Sequence, residues 1–310
     1  MRLLIAEDDH ALYAKRVNAA CPEVQLVTGG DIRALSSAAG NCDVWLGQPD
    51  LLVPLLRQGH RPQWLQSTWA GITPLLAADL PRDYRLSRAV GIFGQVMAEY
   101  VLGHVLAHER RLFARLAAQV EQRWDHALPR SLSGRRVLIV GCGDIGQRVA
   151  EFLAPFGIVL RGVASQPRQQ APFTEVLSLQ DLPEQVGWAD YVINLLPDTP
   201  ATRDLYDAAL LARFSPQAVL INAGRGSAVV DADLVAALEQ GQLAGAVIDV
   251  CREEPPTADH PFWTAPRLLL TGHSSAPTDP SLMADLFLDN LARWQAGERL
   301  RGEVDFSRGY

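Results

Sequence analysis

The stretch VLIVGCGDIGQRVAEFLAPFG, Val137 to Gly157, constrains the fold of this chain more than any other. A short apolar run reads as a buried strand, and Gly141, Gly143 and Gly146 follow it as G-x-G-x-x-G before a helical pattern begins. Glycines at that spacing allow a tight turn and close backbone approach, and the helix N-terminus presents unpaired N–H groups suited to a pyrophosphate. A lone G-x-G-x-x-G also fits a structural turn. The strand before it and the helix after it favour a dinucleotide, held at Gly141, Gly143, Asp144, Ile145 and Gly146.

Further strand-like runs alternate with helical patterns downstream: VLRGVA, DYVINLLP, AVLINAG, AGAVIDV and LLLTGH. These runs are continuously apolar, as expected where helices cover both faces of a parallel sheet. A second alternating region occupies the N-terminal part, with strands RLLIAE, VQLVT and CDVWLG and a helix-like ALYAKRVNAA. A fourth strand in PQWLQSTWAGITPLL ends in a turn at Ala70-Gly71, and a polar passage, DLPRDYRLSRAV, leads to one long helical pattern from Gly94 to Trp124. The tail is helical from Ser281 through Trp294 and then polar. The 310 residues suffice for about two domains. The predicted class is α/β, with two Rossmann-like or flavodoxin-like parallel-sheet domains and a cleft between them.

A hydrophobic content of 48% with 20% charged residues is that of a globular protein, not a disordered one. The net charge of −7, with no Lys/Arg block longer than a pair, argues against nucleic-acid and anionic-membrane partners. Cys21, Cys42, Cys142 and Cys251 lack the spacing of a metal site or a disulfide framework, so reduced thiols and no metal are expected. The apolar run after Arg2 is too short for a signal peptide, and no apolar span reaches membrane length, which predicts a cytoplasmic protein.

The residue that reads the ribose edge of a dinucleotide falls about 20 residues past the glycines. Here the stretch is GVASQPR, with Ala164 and Ser165 where an acid often stands. A carboxylate would accept from a ribose 2′-hydroxyl and repel a 2′-phosphate, whereas Ser165, Gln166 and Arg168 would donate to that phosphate. NADP(H) is therefore preferred, with NAD(H) the alternative if Arg168 is only a solvated loop charge.

Three strand ends carry chemistry on the side where α/β sheets bind ligands: INAGRG with Arg225, DVCREEP with Glu254 and TGHSS with His273. Arginine forks onto a carboxylate, histidine delivers a proton near neutral pH, and a neighbouring acid raises the histidine's pKa and orients it. Singly, each has a bland reading as a structural ion pair, a surface charge or a strand cap. Their joint placement favours one site.

In order and spacing, VGCGDIGQRVA, DYVINLLPDTPATRDLY, LINAGRGSAVVDADLVAAL, AGAVIDVCREEP and LLLTGHSS resemble the D-2-hydroxyacid dehydrogenase family over nearly the whole chain. VWLGQPD with Trp45, the closing GERLRGEVDFSRGY and the missing ribose acid are most similar to its bacterial glyoxylate/hydroxypyruvate reductase A group. The resemblance implies a discontinuous substrate domain, residues 1–95 plus 281–310, and an inserted NAD(P)-binding domain, residues 96–280. It implies that Arg225 binds the carboxylate of a small 2-oxo acid, that His273 protonates the carbonyl as hydride arrives, and that Glu254 partners His273. Asp249 would contact the nicotinamide carboxamide; Thr202, Leu196, Pro197, Ala223 and Gly224 would line the cofactor. The backbone of Trp69, Ala70 and Gly71 would hold the substrate carboxylate, and Trp45 would either wall the pocket or sit in the core. The long helix from Gly94 would serve a homodimer. Two departures stand out: Thr271-Gly272-His273 where many relatives read Thr-Pro-His, and Ser165-Gln166 where a Ser-Arg pair is frequent. The function expected is NADPH-dependent reduction of a small 2-oxo acid to a 2-hydroxy acid. The alternatives are an NAD-linked dehydrogenase of a bulkier hydroxy acid and a dinucleotide-sensing protein without activity.

Overall fold

The computed structural model describes residues 1–307, so the last three residues of GERLRGEVDFSRGY lie outside the described residues. The chain divides into two compact units, Met1–Phe93 with the segment from Thr278 on, and Gly94–Pro277. The first unit contains strands β1 (Arg2–Ala6), β2 (Gln25–Gly29), β3 (Val44–Gly47), β4 (Trp64–Ser67) and β5 (Arg85–Ser87). Helices α1 (His10–Ala20), α2 (Ile32–Ala39) and α3 (Pro49–Arg57) connect the early strands. The strand order is β2-β1-β3-β4-β5, all parallel.

The second unit opens with α4 (Gly94–Glu109) and α5 (Leu112–Val120) and then builds a seven-stranded sheet. Its strands are β6 (Arg136–Val140), β7 (Val159–Ala164), β8 (Glu175–Ser178), β9 (Tyr191–Asn194), β10 (Val219–Asn222), β11 (Gly245–Ile248) and β12 (Leu268–Leu270). Helices α6 (Asp144–Leu153), α7 (Leu182–Gln185), α8 (Ala208–Leu211) and α9 (Asp231–Glu239) lie between them. The order is β12-β11-β10-β9-β6-β7-β8, again all parallel. Successive strand residues alternate between two apolar layers. Val137, Ile139, Ile193 and Ile221 pack with Val101, Val105 and Val149, while Leu138, Val140, Val192 and Leu220 pack with Leu211, Leu234 and Leu238. Both faces are dry, which is why the runs are continuously apolar.

The last helix, α10 (Pro280–Gln295), returns to the first unit. Phe287 on α10 stacks on Trp64 at 5.3 Å between ring centroids. A buried polar staple accompanies this contact: Asn290 Nδ2 donates to Gln66 Oε1 (2.8 Å), Ser87 Oγ donates to the same oxygen (2.7 Å), and Trp64 Nε1 donates to Ser87 Oγ (2.8 Å). Because the members satisfy one another, the staple fixes the register of α10 on the sheet without leaving these polar atoms unpaired.

The structure differs from the sequence reading in three places and decides between two open readings in a fourth. Strand β5 lies inside the polar passage DLPRDYRLSRAV; only three residues pair, too few to show a pattern. Strand β8 adds an edge after β7 that the sequence reading missed. The long helical pattern is two helices, because Arg111 takes a left-handed conformation (φ 59°) between α4 and α5. Trp45 is fully enclosed in the apolar cluster with Leu4, Leu52 and Leu65, so its ring supports the sheet and does not wall a pocket. Among the described residues no helix is long and apolar enough to cross a membrane, and the four cysteines are unpaired.

Candidate active site

The glycine turn joins β6 to α6. Gly141 sits at φ 112°, and a Cβ there would lie 2.9 Å from the Leu195 carbonyl carbon; one on Gly146 would lie 2.1 Å from the Gly141 oxygen. These contacts press turn, strand and helix together, whereas a Cβ on Gly143, the N-cap of α6, would meet nothing within 4 Å. The backbone at the start of α6 is thus open, with Asp144 exposed and Ile145 half-buried behind it. An uncovered helix N-terminus over a close-packed turn fits a dinucleotide pyrophosphate.

Loops after β9 and β10 flank this turn's sheet edge. Leu196 and Pro197 follow β9, and the Ala223-Gly224 segment packs against Leu196, whose oxygen would be 2.8 Å from a Cβ on Gly224. Thr202 is turned inward: its hydroxyl donates to the Pro197 carbonyl (2.6 Å) and accepts from Thr199 N (2.9 Å), closing the loop that follows β9. Ser165, Gln166 and Arg168 are exposed after β7, and Arg168 Nη2 reaches back to donate to the Cys142 carbonyl inside the glycine turn (2.6 Å).

Arg225 follows β10 in an extended conformation. Two buried asparagines hold its loop: Asn194 Nδ2 donates to Asn222 Oδ1 (2.9 Å), which also accepts from Gly224 N (3.2 Å), while Asn222 Nδ2 donates to the Arg225 carbonyl (3.1 Å). The sequence reading passed over both; a polar residue ending an otherwise apolar strand, VIN and LIN, is the signal. At the next position a Cβ on Gly226 would lie 2.0 Å from the Cys251 carbonyl carbon. Only glycine permits this approach, which presses the Arg225 loop onto the segment that carries Glu254.

His273 Nδ1 and Glu254 Oε2 are 2.7 Å apart. The other Glu254 oxygen accepts from Cys251 N (2.8 Å), so the carboxylate is aimed from both sides. The hydrogen bond that His273 donates to Glu254 raises the histidine's pKa above its ordinary value, against the opposing effect of burial. Burial pushes the Glu254 pKa upward, but the bonds from His273 and Cys251 N and the nearby Arg225 charge together hold it below its usual range. Arg225, Glu254 and His273 therefore share one electrostatic neighbourhood.

His273 is left-handed (φ 53°), a costly conformation for a non-glycine residue that persists where the surroundings fix it. Its N–H donates to the Asp249 carbonyl (2.6 Å). The buried Asp249 carboxylate accepts from Thr271 Oγ1 (2.7 Å), Ser274 N (2.9 Å) and Ser275 N (3.1 Å), so it is committed to shaping the histidine loop. Tyr100 OH lies 2.8 Å from Thr271 Oγ1 and extends this clamp to α4. These hydrogen bonds stiffen the Thr271-Gly272-His273 loop. In the other unit, Trp69, Ala70 and Gly71 form a half-buried turn after β4, held by Ser67 Oγ accepting from Trp69 N (3.2 Å) and by Ala89 N donating to the Trp69 carbonyl (3.1 Å).

Residues 102–275 match the model of the D-isomer specific 2-hydroxyacid dehydrogenase NAD binding domain. A glyoxylate/hydroxypyruvate reductase A of Photorhabdus laumondii is 35% identical over 70% of this chain and 69% of its own length. The reductase of that name from Klebsiella pneumoniae is 35% identical over 82% and 83%. Among solved structures, a D-isomer specific 2-hydroxyacid dehydrogenase family protein from Aeromonas salmonicida superposes with a TM-score of 0.93 at 36% identity, covering 98% of this chain and 99% of that one. An NADPH-dependent glyoxylate/hydroxypyruvate reductase from Sinorhizobium meliloti, in complex with NADP and sulfate, gives 0.85 at 27% identity over 100% and 99%. With its glycine turn, its His-Glu pair and these likenesses agreeing, the chain belongs to the D-isomer specific 2-hydroxyacid dehydrogenase family and is an NAD(P)-dependent oxidoreductase.

Proposed function

We propose that the protein reduces a small 2-oxo acid of the glyoxylate or hydroxypyruvate kind to the 2-hydroxy acid, with NADPH as the preferred reductant. The observation that carries this reading is the 2.7 Å pair of His273 with Glu254, which raises the histidine's pKa. Glu254 accepts the proton on Nδ1, so the imidazolium carries its transferable proton on Nε2. The nicotinamide, when bound, supplies hydride to the keto carbon. His273 gives its proton to the carbonyl oxygen, and the Arg225 guanidinium binds the substrate carboxylate and polarises the carbonyl beside it. The open start of α6 holds the pyrophosphate. The names of the Photorhabdus and Sinorhizobium relatives support the substrate class and the cofactor.

The protein works as a cytoplasmic homodimer in this reading. Its support is an uncovered apolar surface: Leu112, Phe113, Leu116 and Val120 on α5, with Trp124 and Leu128 beyond, are all more than half exposed in the single chain. Such a stripe on a monomer favours burial against another copy.

The test is oxidation of NADPH and of NADH, followed by absorbance, with glyoxylate, hydroxypyruvate and a phenyl-substituted 2-oxo acid in parallel. Fast turnover of NADPH with the two small acids is expected. Turnover confined to NADH, or to the phenyl-substituted acid, would replace this reading with that of an NAD-linked dehydrogenase of larger substrates.

A further inference from the structure

We propose that Gln170 and Gln147 are specificity-determining positioning residues, which hold the Arg168 guanidinium at the glycine turn so that it recognises the 2′-phosphate of NADPH. The inference rests on the NADPH reading above and assigns it a device.

After β7 the chain runs through exposed residues to Arg168, whose N–H donates to the Val176 carbonyl (3.0 Å) and so turns the loop back beside β8. From there the side chain crosses to the neighbouring turn, where Nη2 donates to the Cys142 carbonyl (2.6 Å) between Gly141 and Gly143. Nε donates to Gln170 Oε1 (2.5 Å). Gln170 Nε2 then donates to Gln147 Oε1, and Gln147 Nε2 donates to the Ala171 carbonyl (2.7 Å) and to Glu151 Oε1 (2.9 Å).

The direction of this relay is forced. Arginine has only donors, so the Gln170 oxygen must face it and the Gln170 amide nitrogen must face away, which in turn requires the oxygen of Gln147. Each amide has one usable orientation, and the relay is anchored at its far end in α6 and in its own loop. Two of the five guanidinium N–H donors are engaged in holding the group, which leaves donors for a phosphate. A surface arginine ordinarily loses much side-chain freedom on binding an anion; here the ordering precedes the ligand. A ribose hydroxyl, being uncharged, gains little from a positioned guanidinium. The relay therefore acts on the difference between the two cofactors.

The experiment compares dissociation constants for NADPH and NADH, read by quenching of tryptophan fluorescence, in the full-length protein and in Arg168→Ala, Gln170→Leu and Gln147→Leu. Melting temperatures check that each variant is folded. Arg168→Ala should weaken NADPH binding by about 30-fold and Gln170→Leu or Gln147→Leu by about fivefold, with NADH changed by less than about twofold. If both glutamine variants keep the wild-type ratio of the two constants while Arg168→Ala collapses it, the relay is refuted and the NADPH reading survives. If Arg168→Ala leaves the ratio unchanged, the phosphate reading of this loop falls and the inference with it.

Discussion

Two histidines in the Gly94–Pro277 unit stand beside a glutamate, and their surroundings drive them in opposite directions. His273 is exposed past the end of β12, and its bond to Glu254 outweighs burial and raises its pKa. His108, at the end of α4, is half-buried: burial is the largest influence and lowers its pKa, although the neighbouring Glu109 charge opposes the shift. Around His108 every member is tied. Its Nδ1 lies 2.7 Å from Tyr191 OH, which donates to Glu109 Oε1 (2.7 Å), and Arg130 and Arg135 pair with the same carboxylate at 2.8 and 3.2 Å. Arg130 N also donates to the Glu109 carbonyl (3.0 Å), so this cluster pins the segment after α5 back onto α4. One pair keeps a proton available near neutral pH; the other keeps a neutral ring as a structural fitting. A histidine beside an acid is a chemical group only where water and substrate can reach it.

The contrast can be broken most sharply by removing His273 from one pair and the acid from the other. His273→Ala should lower kcat/KM by about a thousandfold while cofactor affinity stays within a factor of about two, measured by steady-state reduction and by fluorescence titration. Removing the other pair's acid tests stability instead. Glu109→Ala leaves two arginines and a tyrosine without their shared partner and should cost about 2 kcal/mol in urea unfolding, with the pH dependence of turnover unchanged.

Glu254→Gln sharpens the comparison through pH. Because the folded pKa of His273 is raised, the stability it contributes is complete below its unfolded pKa and is lost as pH rises through the folded one. With His273 as the proposed acid, reduction needs the same protonated form, so turnover should fall along that same upward limb. The substitution removes the group that raises the pKa, and the limb should move to lower pH with kcat reduced about tenfold. His108→Asn should leave this limb where it is. A profile that moved with His108 would mean that the buried cluster, not the exposed pair, sets the proton supply.

The smallest effect on chemistry is expected at α5. Phe113→Glu with Leu116→Glu places charge on the uncovered apolar stripe, and sedimentation should show a monomer for this variant and, on the proposed assembly, a dimer for the unaltered chain. A dimer that survived both substitutions would move the interface elsewhere.

Much of the scaffold was legible because it is written in local patterns. The runs VLIV, YVIN, VLIN and GAVI are strands since a doubly covered parallel sheet demands unbroken apolarity, and the glycines of GCGDIG announce their turn by spacing alone. Arg225, Glu254 and His273 could be picked out because each follows such a strand. Strand β5 could not, since Leu86 is its only residue in the apolar cluster that includes Trp45. Nor could the break at Arg111, because Leu112, Phe113 and Leu116 continue a helical spacing while facing solvent. Trp45 stayed open for another reason: a large aromatic ring near a strand end reads equally as pocket or core, and only its complete enclosure decides.

By itself the sequence determined the α/β class, most strand positions, the dinucleotide turn and the three strand ends that carry charge, because each depends on residues adjacent in the chain. The tertiary structure decided which groups meet. It placed α10 in the first unit through Asn290 and Gln66, pressed Gly226 onto Cys251, committed Asp249 to the loop of His273, and turned Arg168 back to Cys142. Those contacts join residues 20 or more positions apart, and their partners follow from strand order and close packing, which no local period encodes.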